Sequence, residues 1–300
     1  MKKKTYLFAL MAMALTLGSC SDNENGIGGE TSKYITVSTS IGNMTRVATD
    51  ANGAQTFEEG DEISVYAWTG DATVAPETSE RVVNNAINKL TNGSWVSTPQ
   101  MLWKNNRDKH YFIGVYPTAA ISDLSAGEYT FDVNKQTESD LLVAVNKDGL
   151  SYNVDAQQTV PLTFTHVMAK LAVNLTYKNQ WGGIPTVEKV VVGNAAKEAT
   201  INYLTKVVTP STTAKEDFSL PEITENTKYV SVIIPQEDVK QLTIVIGGKN
   251  FVYDNGTPFK LESGKITTVN LEVGRDEIKL GEVKITNWEN GSTFSGEALN

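Results

Sequence analysis

The sequence is short of the residues on which many enzymes and disulfide-linked secreted domains depend. Its 300 residues include one cysteine, Cys20, and two histidines, His110 and His166. A lone cysteine excludes an intramolecular disulfide framework. Neither histidine has further ligands at metal-site spacing, and no phosphate-binding loop, nucleophile elbow or calcium loop occurs. We therefore expect no metal, no cofactor and no enzymatic activity.

Long apolar runs are also scarce, and the only prominent one lies near the start of the chain. Lys2, Lys3 and Lys4 precede an apolar stretch at residues 6–17, and Gly18 and Ser19 follow it. This stretch is shorter than the roughly 20 residues that a membrane-spanning helix needs. A basic start, an apolar centre and small residues at the end are typical of a signal peptide. We predict a leader at 1–19, with an uncut N-terminal helix as the alternative.

Cys20 sharpens this prediction. Residues 17–20 (LGSC) resemble the lipobox of bacterial lipoproteins, whose cysteine sulfur carries a diacylglycerol. Its acyl chains, such as palmitate, anchor the protein in the membrane. A nucleophilic role would require a basic partner, and none is evident. The segment at 20–32 is polar and glycine-rich, which indicates a lipidated tether. Its acidic start resembles the surface-export signal of some lipoproteins, so we expect an outer-membrane, surface-exposed protein.

Basic residues are fewer than acidic ones. The chain has 26 Lys and Arg against 35 Asp and Glu, a net charge of −9. The leader contains three lysines and no acid, so the net charge of the mature chain falls from −9 to −12. A strongly acidic surface repels phosphate backbones, which disfavours nucleic acid as a partner.

The body of the chain is rich in Val, Ile, Thr and Tyr and predicts an all-β protein. Short runs of alternating polarity are separated by turn residues, at 62–67, 110–116, 170–175, 229–234, 242–246 and 265–273. One exception is 82–90, whose apolar residues fall at helical spacing and predict a short helix. A polar stretch before Val160 suggests two β-sandwich domains, at 33–157 and 158–300.

Two features admit a binding interpretation and a structural one. Residues 58–62 (EEGDE) form the densest acidic cluster, but they lack the alternating ligand spacing of a calcium site and better fit a turn entering a strand. The five tryptophans could form a sugar-stacking platform, although tryptophans near strand ends more often pack in the core.

Several segments, taken in order, resemble the fimbrillin family of type V pilins and fimbrillin-like lipoproteins. They are Thr45 with Arg46, then 57–66, 111–117, 140–144, 162–173, 234–236, 261–265 and 285–288. The resemblance implies two tandem transthyretin-like β-sandwich domains in a subunit that reaches the outer membrane as a lipoprotein. It also implies that a trypsin-like protease removes the first strand and that another subunit supplies a replacement strand.

The residues suit that scheme on physical grounds. Ile35, Val37, Thr39 and Ile41 alternate with polar neighbours, as a half-buried strand does. The bond between Arg46 and Val47 lies in the polar stretch that follows, where proteases cut. Removing the strand would expose backbone groups and apolar pockets, which strand addition restores. Arg46 as an ordinary surface arginine is the alternative.

The role within a fimbrium is left open by the C-terminal region. The run at 278–285 alternates and fits either a donor strand, with Leu280, Val283 and Ile285 as candidate donor residues, or the last strand of the second domain. A detachable strand indicates a shaft subunit, whereas an integral strand indicates a tip or anchor subunit. We expect other fimbrial subunits, the same or homologous, as partners in adhesion, and the sequence names no receptor. A non-polymerising, glycan-binding surface lipoprotein is the first alternative and a glycoside hydrolase the second.

Overall fold

The computed structural model describes residues 33–42, 56–153, 158–254 and 256–288. These residues form nineteen strands and two short 3-10 helices, Thr78–Glu80 and Asn179–Trp181. The predicted all-β class is therefore confirmed.

Seven strands form the first sheet. In spatial order they are β1 (Thr36–Ile41), β8 (Thr159–His166), β7 (Leu142–Leu150), β5 (His110–Tyr116), β2 (Glu62–Thr69), β3 (Arg81–Thr91) and β4 (Ser94–Thr98). β1 runs parallel to β8, and the other neighbours in this sheet are antiparallel. β1 and β4 therefore lie at its two edges.

The central strands of this sheet are buried on both faces. On β2, Ile63 and Val65 belong to one buried cluster, whereas Tyr66 and Trp68 belong to another. This explains why the strand reads as a nearly continuous apolar run instead of a strict alternation. The first cluster lies beneath β1 and contains the fully buried Phe112.

The rest of the chain forms three further sheets. Four strands form one sheet, in the order β13 (Lys215–Ser219), β10 (Val187–Ala196), β16 (Gln241–Ile246) and β17 (Lys249–Asp254). Five form another, in the order β14 (Glu222–Thr224), β15 (Lys228–Ile233), β9 (Ala169–Tyr177), β18 (Lys265–Val273) and β19 (Ile278–Asn287). The smallest contains β12 (Val207–Pro210), β11 (Glu198–Asn202) and β6 (Gly127–Thr130). Apolar residues of the four- and five-stranded sheets, such as Val192 and Val269, share one buried cluster.

Sheet membership does not change at the boundary predicted between 157 and 158. β8 begins just after that point, yet it lies between β1 and β7 in the first sheet. Its Val160, Leu162 and Phe164 are buried there, because alternate positions of β8 face the core beneath β1. The chain enters the five-stranded sheet only at β9. The division into two domains at 33–157 and 158–300 thus separates β8 from its own sheet.

The predicted helix at 82–90 is wrong, because these residues form most of β3. Two irregularities occur in its pairing with β2, where Ala86 pairs with Val65, Val83 with Ala67, and Arg81 with Trp68. Each step adds one residue to β3 and shifts the alternation of its buried side chains. The extra residues convert a two-residue period into spacing that imitates a helix.

Candidate functional site

The candidate site is the edge of the first sheet that β1 occupies. Of the residues predicted to take part in processing, Cys20, Arg46 and Val47 lie outside the described residues. The lipidation and cleavage sites therefore stay predictions. The predicted first strand lies within the described ranges.

β1 has the alternation that the sequence predicts. Ile35 and Val37 are 2% and 6% exposed, Thr39 and Ile41 are half-buried, and the intervening Ser38 is exposed. Their backbone pairs with β8 in a defined register, with Val37 beside Val160 and Ile41 beside Phe164. One face of β1 therefore contributes side chains to the core at every second position.

The other edge of β1 is held by few contacts. The Ile35 amide donates to the Met101 carbonyl over 2.9 Å, and an isolated bridge pairs Tyr34 with Leu102. Farther along, the Trp95 indole Nε1 donates to Thr39 Oγ1 over 3.0 Å. A groove of about 680 Å³ lies between β1 and the start of β4, lined on one side by β1 itself. Backbone contacts therefore cover the start of β1, whereas its later residues border the groove.

Aromatic side chains form the floor of this region. The ring of Phe57 lies 5.3 Å from Trp95, 5.4 Å from Tyr116 and 5.1 Å from Phe164, centroid to centroid, each in an edge-to-face arrangement. Such pairs stabilise by about 0.5–1.5 kcal/mol beyond their burial. Gly114 lies beneath Phe164, and a Cβ at that position would come within 2.6 Å of the Phe164 ring. The floor is therefore tightly packed and would be uncovered if β1 left.

The acidic segment at 58–62 borders this floor and forms a turn, as the sequence predicts. The Glu58 amide donates to Asp61 Oδ2 over 2.7 Å, and Gly60 has φ of 97°. Tyr116 Oη donates to Asp61 Oδ1 over 3.4 Å. Burial, together with the nearby Asp61 charge, raises the pKa of Tyr116 to about 12. Within the described part of the chain, no three His, Cys, Asp or Glu side chains are placed to hold a metal ion.

The predicted donor residues lie on β19, the last strand of the five-stranded sheet. β19 pairs along its length with β18, and Leu280, Val283 and Ile285 lie opposite Leu271, Val269 and Thr267. Leu280 is half-buried, whereas Val283 and Ile285 are 38% and 40% exposed. The structure places these three residues on one strand and does not bring them near β1. In this molecule the segment is the last strand of its own sheet.

Both histidines make structural contacts. The buried His110 accepts a hydrogen bond at Nε2 from the Lys104 amide over 3.0 Å, and burial lowers the pKa of His110. His166 Nδ1 lies 2.8 Å from Asp140 Oδ1, and its ring stacks on Trp288. Both residues thus join the packing of their sheets.

The tryptophans do not form the exposed platform that a glycan-binding face would need. Trp68, Trp103 and Trp288 are buried, and Trp95 and Trp181 are half-buried. Trp95 and Phe57, which lie beside β1, were not among the residues predicted to act at this site. Their one detectable signal is an aromatic residue two positions before the turn at 59–60 and another two positions after the turn at 92–93, but that spacing does not reveal the partner strand.

The sequence is similar to a known family and to a curated relative. A sequence profile of the family described as "Fimbrillin-like" matches residues 45–288. Over 183 residues the chain is 29% identical to a protein named "Putative fimbrium subunit Fim1C" from Bacteroides uniformis, covering 58% of this chain and 56% of that protein. The chain therefore spans about half the length of this curated relative.

Solved structures share the fold at low sequence identity. A crystal structure of a "putative cell adhesion protein" from Bacteroides uniformis is similar with a TM-score of 0.62 at 20% identity, covering 86% of this chain and all of that one (100%). A fimbrial protein from Bacteroides vulgatus is similar with a TM-score of 0.52 at 14% identity, covering 84% of this chain and 99% of the other. In the described ranges, no helix is long and apolar enough to cross a bilayer.

Proposed function

The chain belongs to the fimbrillin-like family, and from that premise we propose that it is a subunit of a bacterial surface fimbrium that contributes to adhesion. It is exported as a lipoprotein, acylated at Cys20 and held at the cell outer membrane. Cleavage between Arg46 and Val47 then releases β1, and a strand from another subunit takes its place. The family and the name of its relative support a structural, non-enzymatic role.

The observation that carries this proposal is the placement of β1. It is an edge strand, it ends at Ile41 shortly before Arg46, and its buried side chains occupy alternate pockets over the aromatic floor. Loss of β1 would leave the outer edge of β8 without backbone partners. Unpaired backbone groups next to apolar pockets are costly in water, so an added strand of the same alternation would be favoured.

The candidate donor is β19 of a second subunit, through Leu280, Val283 and Ile285. Val283 and Ile285 are two residues apart and are spaced to enter alternate pockets, whereas Leu280 shares their face through a register shift between it and Val283. Donation requires β19 to leave β18, since the strand is paired within its own sheet. A subunit whose β19 stays in place would instead receive a strand from a partner, as expected of a terminal subunit.

Limited digestion of the folded, leaderless protein with an arginine-specific protease tests the proposal. We expect a cut after Arg46, whereas Arg81 is buried in β3. Arg107 and Arg275 are exposed in loops, so the masses of the fragments must distinguish cuts there from the cut at Arg46. The Arg46→Ala variant should lack the fragments that a cut after residue 46 produces. After the cut, native gels should show ladders of oligomers, and excess synthetic peptide 33–46 should suppress them by refilling the groove.

Each other outcome has a defined meaning. Ladders from the uncut Arg46→Ala variant would contradict activation by cleavage. A clean cut without ladders, even after β1 has dissociated, would indicate that the donor comes from a different subunit. Charged substitutions at Val283 and Ile285 should abolish the ladders without changing the cut if β19 is the donor. Resistance of Arg46 would contradict the proposed processing site.

A further inference from the structure

β19 is weakly held by its own side chains. From Gly281 to Asn287 every residue is exposed, and only Ile278 and Leu280 at its start are half-buried. Val283 and Ile285 lie on the same face of the sheet as their partners on β18, Val269 and Thr267, which are buried. Val283 and Ile285 themselves are 38% and 40% exposed. Backbone hydrogen bonds to β18 therefore provide most of the attachment of this half of the strand.

The residue directly after β19 is held quite differently. Trp288 is 4% exposed, and its ring stacks on His166 with centroids 4.0 Å apart and planes 8° apart. Lys170 Nζ lies 4.1 Å from the centroid of the Trp288 ring. The Trp288 amide donates to the Gly264 carbonyl over 2.9 Å. A large aromatic side chain is thus fixed by stacking, a cation–π contact and a backbone hydrogen bond.

The groups that hold Trp288 belong to the junction between two sheets. His166 ends β8, and Lys170 lies near the start of β9. Asp140 holds the His166 ring through the 2.8 Å contact with Nδ1. The His166 side chain itself is only 2% exposed, so the surface that receives Trp288 is firmly packed. The end of β19 is therefore fastened to the same strand, β8, that pairs with β1.

We propose that Trp288 is a latch: its contact with His166 and Lys170 keeps β19 on β18, and β19 becomes available to a second copy of this chain only when Trp288 leaves that surface. The part of the proposal that concerns donation rests on the proposed function, whereas the latch itself is a property of the single molecule. Because the side chains between Gly281 and Asn287 add little burial, loss of one residue outside the strand should free most of it.

Hydrogen exchange on the full, leaderless, uncleaved protein tests the latch. In Trp288→Ala, amides of β19 should exchange about tenfold faster or more, since 1.4 kcal/mol of lost contact corresponds to a factor of ten. Amides of β9, which is central in the sheet, should keep their protection. Trp288→Phe should retain stacking, so its β19 amides should exchange at a rate between those of the parent protein and Trp288→Ala. The matched control, Lys284→Ala, alters an exposed side chain of β19 itself and should leave exchange nearly unchanged.

His166→Ala removes the stacking partner without changing the sequence of β19 and should accelerate exchange in the same strand. Unchanged exchange of β19 in both Trp288→Ala and His166→Ala would overturn the latch. Equal loss of protection in β9 and β19 would also overturn it, because Trp288 would then be an ordinary core residue of the whole sheet.

An assembly experiment separates the latch from the proposed function. After cleavage at Arg46, Trp288→Ala should form oligomer ladders several-fold faster than the parent protein. Ladders at equal rates would overturn the role of the latch in donation. Faster exchange in Trp288→Ala with no ladders from either protein would leave the latch standing and contradict self-donation in the proposed function.

Discussion

At the scale of single residues, Gly114 on β5 leaves room for the ring of Phe164, which reaches it across β7 from β8. An added Cβ there would lie 2.6 Å from the Phe164 ring and 3.2 Å from a Leu162 methyl. Because both neighbours are themselves buried, we expect Gly114→Ala to lower the free energy of unfolding by about 1–3 kcal/mol, as overpacking does. Urea denaturation would measure the change.

Gly193 provides the matched control. It also lies in a strand, but a Cβ there meets the flexible end of Gln241 at 3.0 Å. Gly193→Ala should therefore be close to neutral, or slightly stabilising through reduced freedom of the unfolded chain. An equal loss in both variants would show that close packing beneath β1 is not the cause.

Tyr116 gives the floor of the groove a dependence on alkaline pH. A free tyrosine ionises near pH 10, whereas the pKa of Tyr116 in the folded protein is about 12. The unfolded chain therefore loses this proton first, and the stabilisation from neutral Tyr116, complete below pH 10, declines as pH rises toward 12. We expect Tyr116→Phe to lose less stability than the parent over that range, measured by urea unfolding at several pH values.

Other buried tyrosines, such as Tyr177, also have raised pKa values. These tyrosines are present in the parent protein and in Tyr116→Phe alike. The difference between the two curves of stability against pH therefore reports Tyr116 alone. Parallel curves would contradict the assignment.

At the scale of elements, the fastening of β1 depends on its alternate buried side chains. Val37 is 6% exposed and contributes to the cluster beneath β1, whereas the neighbouring Ser38 is exposed. After a cut at Arg46, we expect a peptide of residues 33–46 carrying Val37→Ala to bind the vacated groove about tenfold or more weakly, since about 1–3 kcal/mol of burial is lost. A Ser38→Ala peptide should bind like the parent peptide.

Fluorescence titration of labelled peptides would give both affinities. Equal affinity of the Val37→Ala and parent peptides would mean that the groove recognises backbone alone.

The strands also show which elements a sequence pattern can predict and which it cannot. The runs at 62–67 and 110–116 were predictable because they form uninterrupted central strands, β2 and β5. The run at 82–90 was not, because two extra residues in β3 shift its alternation and a periodicity argument cannot detect an insertion without its partner strand. For the site, the alternation of β1 was predictable from its own residues. The contact between Trp95 and Thr39 was not, because it joins residues far apart in the chain.

At the scale of the whole molecule, pairing between distant segments decides the architecture. β6 lies in the first half of the chain but pairs with β11, so Tyr129 lies beside Ala199. β8 follows the predicted domain boundary but lies within the first sheet. Sequence composition marks the polar stretch before Val160 as a linker, yet a linker within one sheet and a linker between two domains have the same composition. Composition alone therefore does not decide to which sheet β8 belongs.

The position of β8 leads to a prediction about fragments. A fragment of residues 33–157 lacks β8, so β1 loses its only ladder partner among the described strands and β7 loses one edge. The buried Val160, Leu162 and Phe164 are lost with it. We expect 33–157 to show no cooperative thermal transition. The fragment 33–167 should retain more strand structure, because the seven-stranded sheet is then complete, although the face with Tyr66 and Trp68 still lacks its packing partners. Both fragments lack the β11 partner of β6, so they differ only in β8. Circular dichroism melting curves would compare them, and a cooperative transition of equal midpoint in both would mean that the first sheet folds without β8.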